Sequence, residues 1–224
     1  MELNKDKIIE NYSKIENDIK KYSPYPEKVK ILFVTKYFDI EEHQKIVNMG
    51  FNYFGENKAQ LFRDKIKTID NPELRWDFIG RLQKNKIKYI IKSVNLIHSI
   101  DSYELLEEID RKAKENSRIV QGLIQINISR EESKTGIYVE DFKREYEKYL
   151  SMENVKIKGF MTMAPLEAQS PEIEKYFYGV LELKEEYEKK YRDITELSMG
   201  MSNDYHEALN HGSTMIRIGS ALFK

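Results

Sequence analysis

Lys36 is the residue whose type and position most directly suggest covalent chemistry. It ends a largely apolar segment, residues 31–36, whose composition is typical of a buried strand. Burial lowers the pKa of a lysine, and a neutral amine can attack a carbonyl carbon to form a Schiff base. The position therefore predicts a site for an aldehyde-bearing cofactor or substrate. The alternative is a solvated lysine at the end of a strand, because lysine side chains are mostly exposed.

Small and hydroxyl-bearing residues cluster in two segments near the end of the sequence. Residues 197–204 read Leu-Ser-Met-Gly-Met-Ser-Asn-Asp, and residues 217–220 read Arg-Ile-Gly-Ser. Glycine lets backbone N–H groups approach a phosphate, hydroxyls donate hydrogen bonds, and a guanidinium adds a positive charge. The groups that could form such a phosphate site are Ser198, Ser202, Arg217, Gly219 and Ser220. The alternative is two ordinary turns.

Asn57 is a further candidate ligand contact. It follows Phe-Gly-Glu at residues 54–56, where glycine permits a close backbone approach. Its amide can both donate and accept hydrogen bonds. The position equally fits the N-cap of the following helix, so both interpretations stay open.

Apolar runs alternate regularly with charged segments of helical period. The predicted strands cover residues 31–36, 53–57, 76–80, 96–100, 122–128, 159–163, 196–199 and 215–219. The predicted helices between them cover residues 40–49, 58–67, 84–93, 103–116, 139–151, 171–191 and 205–210. An amphipathic helix precedes the first strand, with one apolar stripe formed by Ile8, Ile9, Tyr12, Ile15 and Ile19.

Eight strands separated by seven helices predict an α/β fold, a (β/α)8 TIM barrel with an extra N-terminal helix. The main alternative is a doubly wound open sheet. The barrel is favoured because glycine, serine and other polar residues follow many strands instead of collecting at one switch point. No linker or low-complexity segment divides the chain, so a single domain over residues 1–224 is expected.

The composition excludes several classes of protein. The chain has no cysteine, which excludes disulfides, thiolate metal sites and thiol catalysis. With 37 basic and 38 acidic residues, the net charge of −1 gives no bulk electrostatic reason for nucleic-acid binding. No apolar run approaches the about 20 residues of a membrane span, and the N-terminus lacks the apolar centre of a secretory signal. A cytoplasmic protein without a metal site is expected.

Closing the predicted barrel places its last strand beside its first. Lys36 and the segments after strands seven and eight would then share one end of the fold. A Schiff-base lysine beside a phosphate site fits a small phosphorylated aldehyde. Pyridoxal 5′-phosphate (PLP) is the common cofactor of that description.

Short motifs run through the chain in a fixed order. They cover residues 34–36, 54–57, 76–80, 82–86, 98–101, 125–128, 133–136, 159–163, 197–202 and 212–219. The most specific are Ser-Met-Gly-Met-Ser and Gly-Ser-Thr-Met-x-Arg-x-Gly. With these motifs, from about residue 5 to residue 223, the sequence resembles the pyridoxal phosphate homeostasis protein family. Those proteins are single-domain relatives of the N-terminal barrel of alanine racemase, known as fold type III.

The resemblance implies a role for each candidate site residue. Lys36 would hold PLP as an internal aldimine, and Asn57 would lie near its ring. Ser198, Arg217, Gly219 and Ser220 would hold the phosphate or the ring nitrogen. Which of these two groups Arg217 contacts stays open.

Two features depart from the family's pattern. Asp77 stands where the third-strand motif usually has histidine, which leaves the role of that position open. The sequence ends at Phe223 and Lys224, without the short Gly-x-Arg-x-Tyr tail that is common in the family. The core of the site is expected to survive both departures.

PLP binding does not by itself make an enzyme. Racemisation or decarboxylation needs a positioned acid–base group, and the racemase relatives take one from a second domain. The resemblance implies a monomeric carrier or buffer in vitamin B6 homeostasis, with PLP-dependent apo-enzymes as partners. The alternative is a cryptic PLP-dependent amino-acid racemase or lyase that uses Lys36 as its base. A sugar-phosphate aldolase with a Schiff-base lysine is a third, less favoured class.

Overall fold

The computed structural model describes residues 3–131, 134–165 and 167–224. Eight parallel strands form a closed barrel in sequence order, and the last strand pairs with the first. The strands are β1 Lys30–Val34, β2 Tyr53–Glu56, β3 Arg75–Phe78, β4 Leu96–Ile100, β5 Val120–Gln125, β6 Val155–Met161, β7 Glu196–Met201 and β8 Met215–Ile218. The predicted (β/α)8 barrel is confirmed, and the pairing of β8 with β1 excludes an open sheet.

Helices connect the strands around the barrel. Within the described residues they are α1 Lys5–Tyr22, α2 Ile40–Val47, α3 Ala59–Ile69, α4 Ile87–Ile90, α5 Tyr103–Glu115, α6 Val139–Leu150, α7 Ser170–Glu188, α8 Tyr205–Asn210 and α9 Ser220–Phe223. Short 3-10 turns cover Pro26–Lys28 and Lys84–Lys86. None of the described helices is long and apolar enough to cross a bilayer.

The extra N-terminal helix begins where the side chain of Asn4 accepts a hydrogen bond from the Lys7 backbone N–H, at 3.1 Å. Its buried residues include Ile8, Ile15 and Ile19. Ile9, expected on the same stripe, is instead 42% exposed. One helical residue turns the chain by about 100°, which carries the position after Ile8 away from the barrel.

Other predicted elements also differ in their bounds from those observed, for example the helix at 84–93 and the sixth strand. The predicted helix 84–93 is a 3-10 turn followed by the four-residue α4. Lys84 and Lys88, four residues apart, would repel each other along a longer helix. The predicted sixth strand started at Gly159, but β6 starts at Val155 because Val155 and Ile157 are buried in alternation with lysines.

Alternate strand residues belong to two apolar layers. The inner layer, within the barrel, consists of Leu32, Leu96, Leu123, Met161 and Met215, with Tyr53 and Ile79 packed against it. The outer layer lies between strands and helices and includes Phe33, Phe54 and Trp76. Because side chains alternate along a strand, residues two positions apart in a strand lie on the same side of the sheet.

Candidate functional site

Lys36 lies two residues beyond β1, at the end of the barrel where the strands finish. Leu32 belongs to the inner layer, so strand alternation directs Val34, the last residue of β1, to the same side, and Lys36 lies in the turn that follows. Lys36 is half-buried, and its Nζ lies 5.0 Å from the ring centre of Tyr37. Among the described residues, its ammonium has no hydrogen-bond or ion-pair partner. The lysine is therefore available to a ligand at this end of the barrel.

The segments after β7 and β8 meet beside β1. A Cβ atom added to Gly219 would lie 3.5 Å from Val34, in ordinary contact. Ser202 Oγ accepts hydrogen bonds from the backbone N–H groups of Gly219 at 3.3 Å and Ala221 at 3.1 Å. Ser220 is the first residue of α9. The two segments that the sequence predicts as a phosphate site are thus in contact, next to the strand that carries Lys36.

Asn57 follows β2 and has an unsatisfied side-chain oxygen. The N-cap of α3 is Lys58, so the N-cap interpretation of Asn57 is wrong. Asn57 Oδ1 is buried and has no hydrogen-bond partner among the described residues. A Cβ atom on Gly80 would lie 2.1 Å from the Asn57 backbone oxygen, so glycine is required there. A ligand donor would satisfy the Oδ1 atom, whose burial is otherwise costly.

Arg217 is a cation buried inside the barrel. It is 4% exposed, and its Nη1 and Nη2 donate to Ser198 Oγ at 2.7 Å and to the Thr162 carbonyl at 2.9 Å. Burial lowers the pKa of Arg217 to about 10, and the attraction of Asp204 offsets this only in part. Within the described ranges, no carboxylate forms an ion pair with Arg217. Its direct partners are neutral, so its charge remains available to an anion.

Further buried polar groups continue from Ser198 across the barrel. His98 Nδ1 lies 2.8 Å from Ser198 Oγ, and His98 Nε2 lies 2.9 Å from Asp77 Oδ2. The Tyr53 hydroxyl donates to the same Asp77 oxygen at 2.5 Å. Asp77, His98 and Ser198 are all 0% exposed. Burial lowers the pKa of His98, although the hydrogen bond and charge of Asp77 raise it.

Sequence reasoning did not identify this group, although strand alternation carries a signal for it. Asp77, His98 and Arg217 each stand two residues from an inner-layer residue, namely Ile79, Leu96 and Met215. Their polar side chains are therefore directed into the barrel, where they need partners. The alternation did not reveal which polar residues pair.

A second buried charged cluster lies between the barrel and α3. Lys65 Nζ donates to Glu56 Oε1 at 2.5 Å and to the Thr35 carbonyl at 2.9 Å. The Thr35 hydroxyl donates to Glu56 Oε1 at 2.8 Å. All three residues are 0% exposed. The cluster holds the peptide group that joins Thr35 to Lys36.

The predicted site residues thus fall into two groups. Lys36, Asn57, Gly219 and Ser220 follow their strands, whereas Ser198 and Arg217 lie inside the barrel. Their roles as ligand contacts stay predictions. In the motif at 133–136, the Thr135 carbonyl and hydroxyl accept from Gln125 Nε2, and Ser133 lies outside the described residues.

Comparison with known proteins identifies relatives over nearly the whole chain. Residues 4–224 match the family model for the N-terminal domain of alanine racemase. A pyridoxal phosphate homeostasis protein of Aquifex aeolicus (strain VF5) is 38% identical over 195 residues, 87% of this chain and 86% of that protein. Another, from Synechocystis sp. (strain PCC 6803), is 36% identical over 201 residues, 88% of this chain and 92% of that protein.

Solved structures have the same fold. PipY of Synechococcus elongatus PCC7942 gives a TM-score of 0.87 in its structure without PLP and 0.85 in its structure with PLP bound. Each is 30% identical to this chain, and the match covers 97% of this chain and 100% of PipY. The resemblance seen in the motifs is thereby confirmed. The chain belongs to the pyridoxal phosphate homeostasis protein family, whose barrel is that of the N-terminal domain of alanine racemase.

Proposed function

We propose that this protein binds PLP as a Schiff base on Lys36 and serves in the homeostasis of the cofactor without catalysing a reaction of its own. Membership of a family named for PLP homeostasis supports the general role. The PLP-bound structure of PipY, which has the same fold, supports the choice of ligand.

The observation that carries the proposal is the pair of cations without carboxylate partners, Lys36 and Arg217. Arg217 lies in β8 and Lys36 lies two residues beyond β1, and these two strands are neighbours in the barrel. Neither forms an ion pair with a residue in the described parts of the chain. A buried guanidinium with neutral partners favours an anionic ligand, and an unpaired lysine can add to an aldehyde. PLP carries both groups.

The remaining site residues fit the same ligand. In this proposal Lys36 would hold PLP through its aldehyde group, which would supply an electrophilic carbon for a Schiff base. Asn57 lies near the ring, where its free Oδ1 can accept a hydrogen bond. Ser198, Arg217, Gly219 and Ser220 hold the phosphate or the ring nitrogen.

The histidines support a carrier over an enzyme. His98 contacts Asp77 and Ser198 through its two ring nitrogens, which leaves neither for proton transfer to a substrate. His43 is buried in the outer layer against Trp76, and His206 contacts Asp18 of α1. His211, which follows α8, contacts the backbone carbonyl of Glu207 in that helix. In this proposal the protein acts as a cytoplasmic monomer that supplies PLP to apo-enzymes.

Absorbance spectroscopy with borohydride reduction tests the covalent site. Added PLP should give a visible Schiff-base band that borohydride abolishes, with a pyridoxyl adduct on the Lys36 peptide. Lys36→Ala should lose both. Lys58→Ala is the matched control, because Lys58 is exposed at the same end of the barrel, and it should retain both. Absence of the band in the wild-type protein, or adducts spread over many lysines, would contradict the proposal.

The role of Arg217 can be measured by comparing PLP with pyridoxal, which lacks the phosphate. If Arg217 holds the phosphate, Arg217→Met should weaken PLP binding about tenfold or more and leave pyridoxal binding nearly unchanged. If it contacts the ring nitrogen, both ligands should weaken together. Unchanged binding of both ligands would show that Arg217 is not part of the site.

The alternative function, a PLP-dependent racemase or lyase, is tested by incubating the protein with single L-amino acids and analysing the chirality of the products. Racemised product would indicate an enzyme.

A further inference from the structure

Asp77 is linked to Arg217 through two neutral groups inside the barrel. The order of contact is Asp77, His98, Ser198 and Arg217, with heavy-atom distances of 2.9, 2.8 and 2.7 Å. Their residues come from β3, β4, β7 and β8, so the links cross the interior instead of following one strand. Each residue is at most 4% exposed. Water therefore has little access to replace any of these partners.

The chemistry of Asp77 and Arg217 determines which group donates in each of the three hydrogen bonds between them. A guanidinium has donors and no acceptor, so Ser198 Oγ must accept from Arg217. A carboxylate accepts, so His98 Nε2 must donate its proton to Asp77. Burial lowers the pKa of His98, and a neutral ring carries a single N–H. That proton is on Nε2, which leaves Nδ1 to accept from the Ser198 hydroxyl.

We propose that Asp77 is a positioning residue for Arg217, acting by holding His98 in its Nε2–H tautomer so that the Ser198 oxygen presents lone pairs to the guanidinium. This inference rests on the proposed function, because Arg217 is there the residue that meets the anionic cofactor. Asp77 orients Arg217 without contacting it, so the attraction of the guanidinium for a ligand anion is kept.

Substitution of Asp77 by asparagine would keep the shape of the side chain but would no longer require His98 Nε2 to donate a proton. The amide of Asn can donate to His98 Nε2, which would favour the Nδ1–H tautomer. The Nδ1 proton would then face Ser198 Oγ, which already accepts from Arg217. Ser198 Oγ would then accept from both His98 and Arg217, and its hydroxyl proton would lose His98 as acceptor, so the orientation of the oxygen that holds Arg217 would change.

Two measurements on cofactor-free and PLP-titrated protein test the proposal. Long-range ¹H–¹⁵N spectra of ¹⁵N-labelled protein report the tautomer of each histidine ring, and His98→Gln identifies the His98 signals. The wild-type ring should be neutral and protonated on Nε2. In Asp77→Asn, the Nδ1–H form should appear, and the dissociation constant for PLP should rise about tenfold or more.

The matched control is Asn95→Ala. Asn95 Nδ2 donates to Asp77 Oδ1 at 2.8 Å, which is the oxygen that His98 does not contact. This variant removes one hydrogen bond from the same carboxylate, so it should keep the wild-type tautomer and bind PLP within about twofold of the wild type. A purely structural role of Asp77 would affect both variants through stability and leave the tautomer unchanged.

Three outcomes would overturn the inference. One is a charged or Nδ1-protonated His98 in the wild-type protein, which needs no variant to detect. Another is an Asp77→Asn protein that keeps the wild-type tautomer. The last is a changed tautomer with unchanged PLP affinity. A wild-type protein that binds no PLP would instead contradict the proposed function, and the ring spectra of the cofactor-free protein would still decide the role of Asp77 towards His98.

Discussion

Lys65 and Arg217 are both buried cations, but they are neutralised in different ways. Lys65, outside the barrel, meets the carboxylate of Glu56 directly at 2.5 Å, with both side chains 0% exposed. Arg217, inside the barrel, contacts the Ser198 hydroxyl and the Thr162 carbonyl. The carboxylate of Asp204 attracts the Arg217 guanidinium without forming an ion pair with it.

The difference separates two uses of a buried charge. A directly paired cation has little remaining attraction for a ligand, and its burial costs desolvation that the pair only partly recovers. The Lys65 pair instead holds both the hydroxyl and the carbonyl of Thr35, next to Lys36. An indirectly compensated cation such as Arg217 keeps its attraction for an anion. The outer cluster therefore positions the backbone, while the inner cation can bind a ligand.

The largest expected effect comes from breaking the outer pair. Lys65→Met would leave Glu56 buried without a counter-ion, and we expect the free energy of unfolding to fall by about 3–5 kcal/mol. Urea denaturation measures this. The Glu56→Gln/Lys65→Met double variant should lose clearly less, because it leaves no unpaired charge. Equal losses in both proteins would show that packing, and not charge, dominates at this position.

An intermediate effect is expected from His43, which lies in the outer layer near Lys65. Its ring stacks on Trp76, neither ring nitrogen has a partner among the described residues, and burial, helped by the charge of Lys65, lowers its pKa to about 3. The unfolded chain takes up a proton near pH 6.5 while the folded protein does not. Stability is therefore lost as the pH falls below 6.5, by up to about 1.4 kcal/mol per pH unit.

His43→Phe should remove this dependence. Between pH 7 and pH 5, we expect the wild-type protein to lose about 2 kcal/mol more of its unfolding free energy than the variant. Urea denaturation at a series of pH values gives the comparison. Parallel curves for the two proteins would contradict a buried neutral His43.

The smallest effect is expected from an exposed pair with the same geometry. Lys143 and Glu186 also lie 2.5 Å apart, but their side chains are 45% and 42% exposed. Lys143→Met should change the unfolding free energy by less than about 1 kcal/mol, and by less still at high salt. A loss as large as that of Lys65→Met would show that distance, and not burial, sets the strength of these pairs.

Much of the architecture could be predicted because it depends on local patterns. The strand and helix periods predicted the barrel, and the glycine and serine segments predicted that the ends of β7 and β8 meet next to β1. Ends of elements were harder, as at Val155, where lysines interrupt the apolar run. The N-cap interpretation of Asn57 failed because the helix starts one residue later, and the free Oδ1 was visible only in the folded chain.

The sequence by itself determined the order of elements and the side of the barrel on which each residue lies, because both follow from the periods of strand and helix. Tertiary structure decided which polar groups meet. His98 and Ser198 are 100 positions apart, and Lys65 reaches Thr35 across 30. Closure of the barrel brings such residues within hydrogen-bond distance. Because they are buried, water cannot replace a partner that is lost. The difference between a paired Lys65 and an indirectly compensated Arg217 therefore arises only in the folded protein.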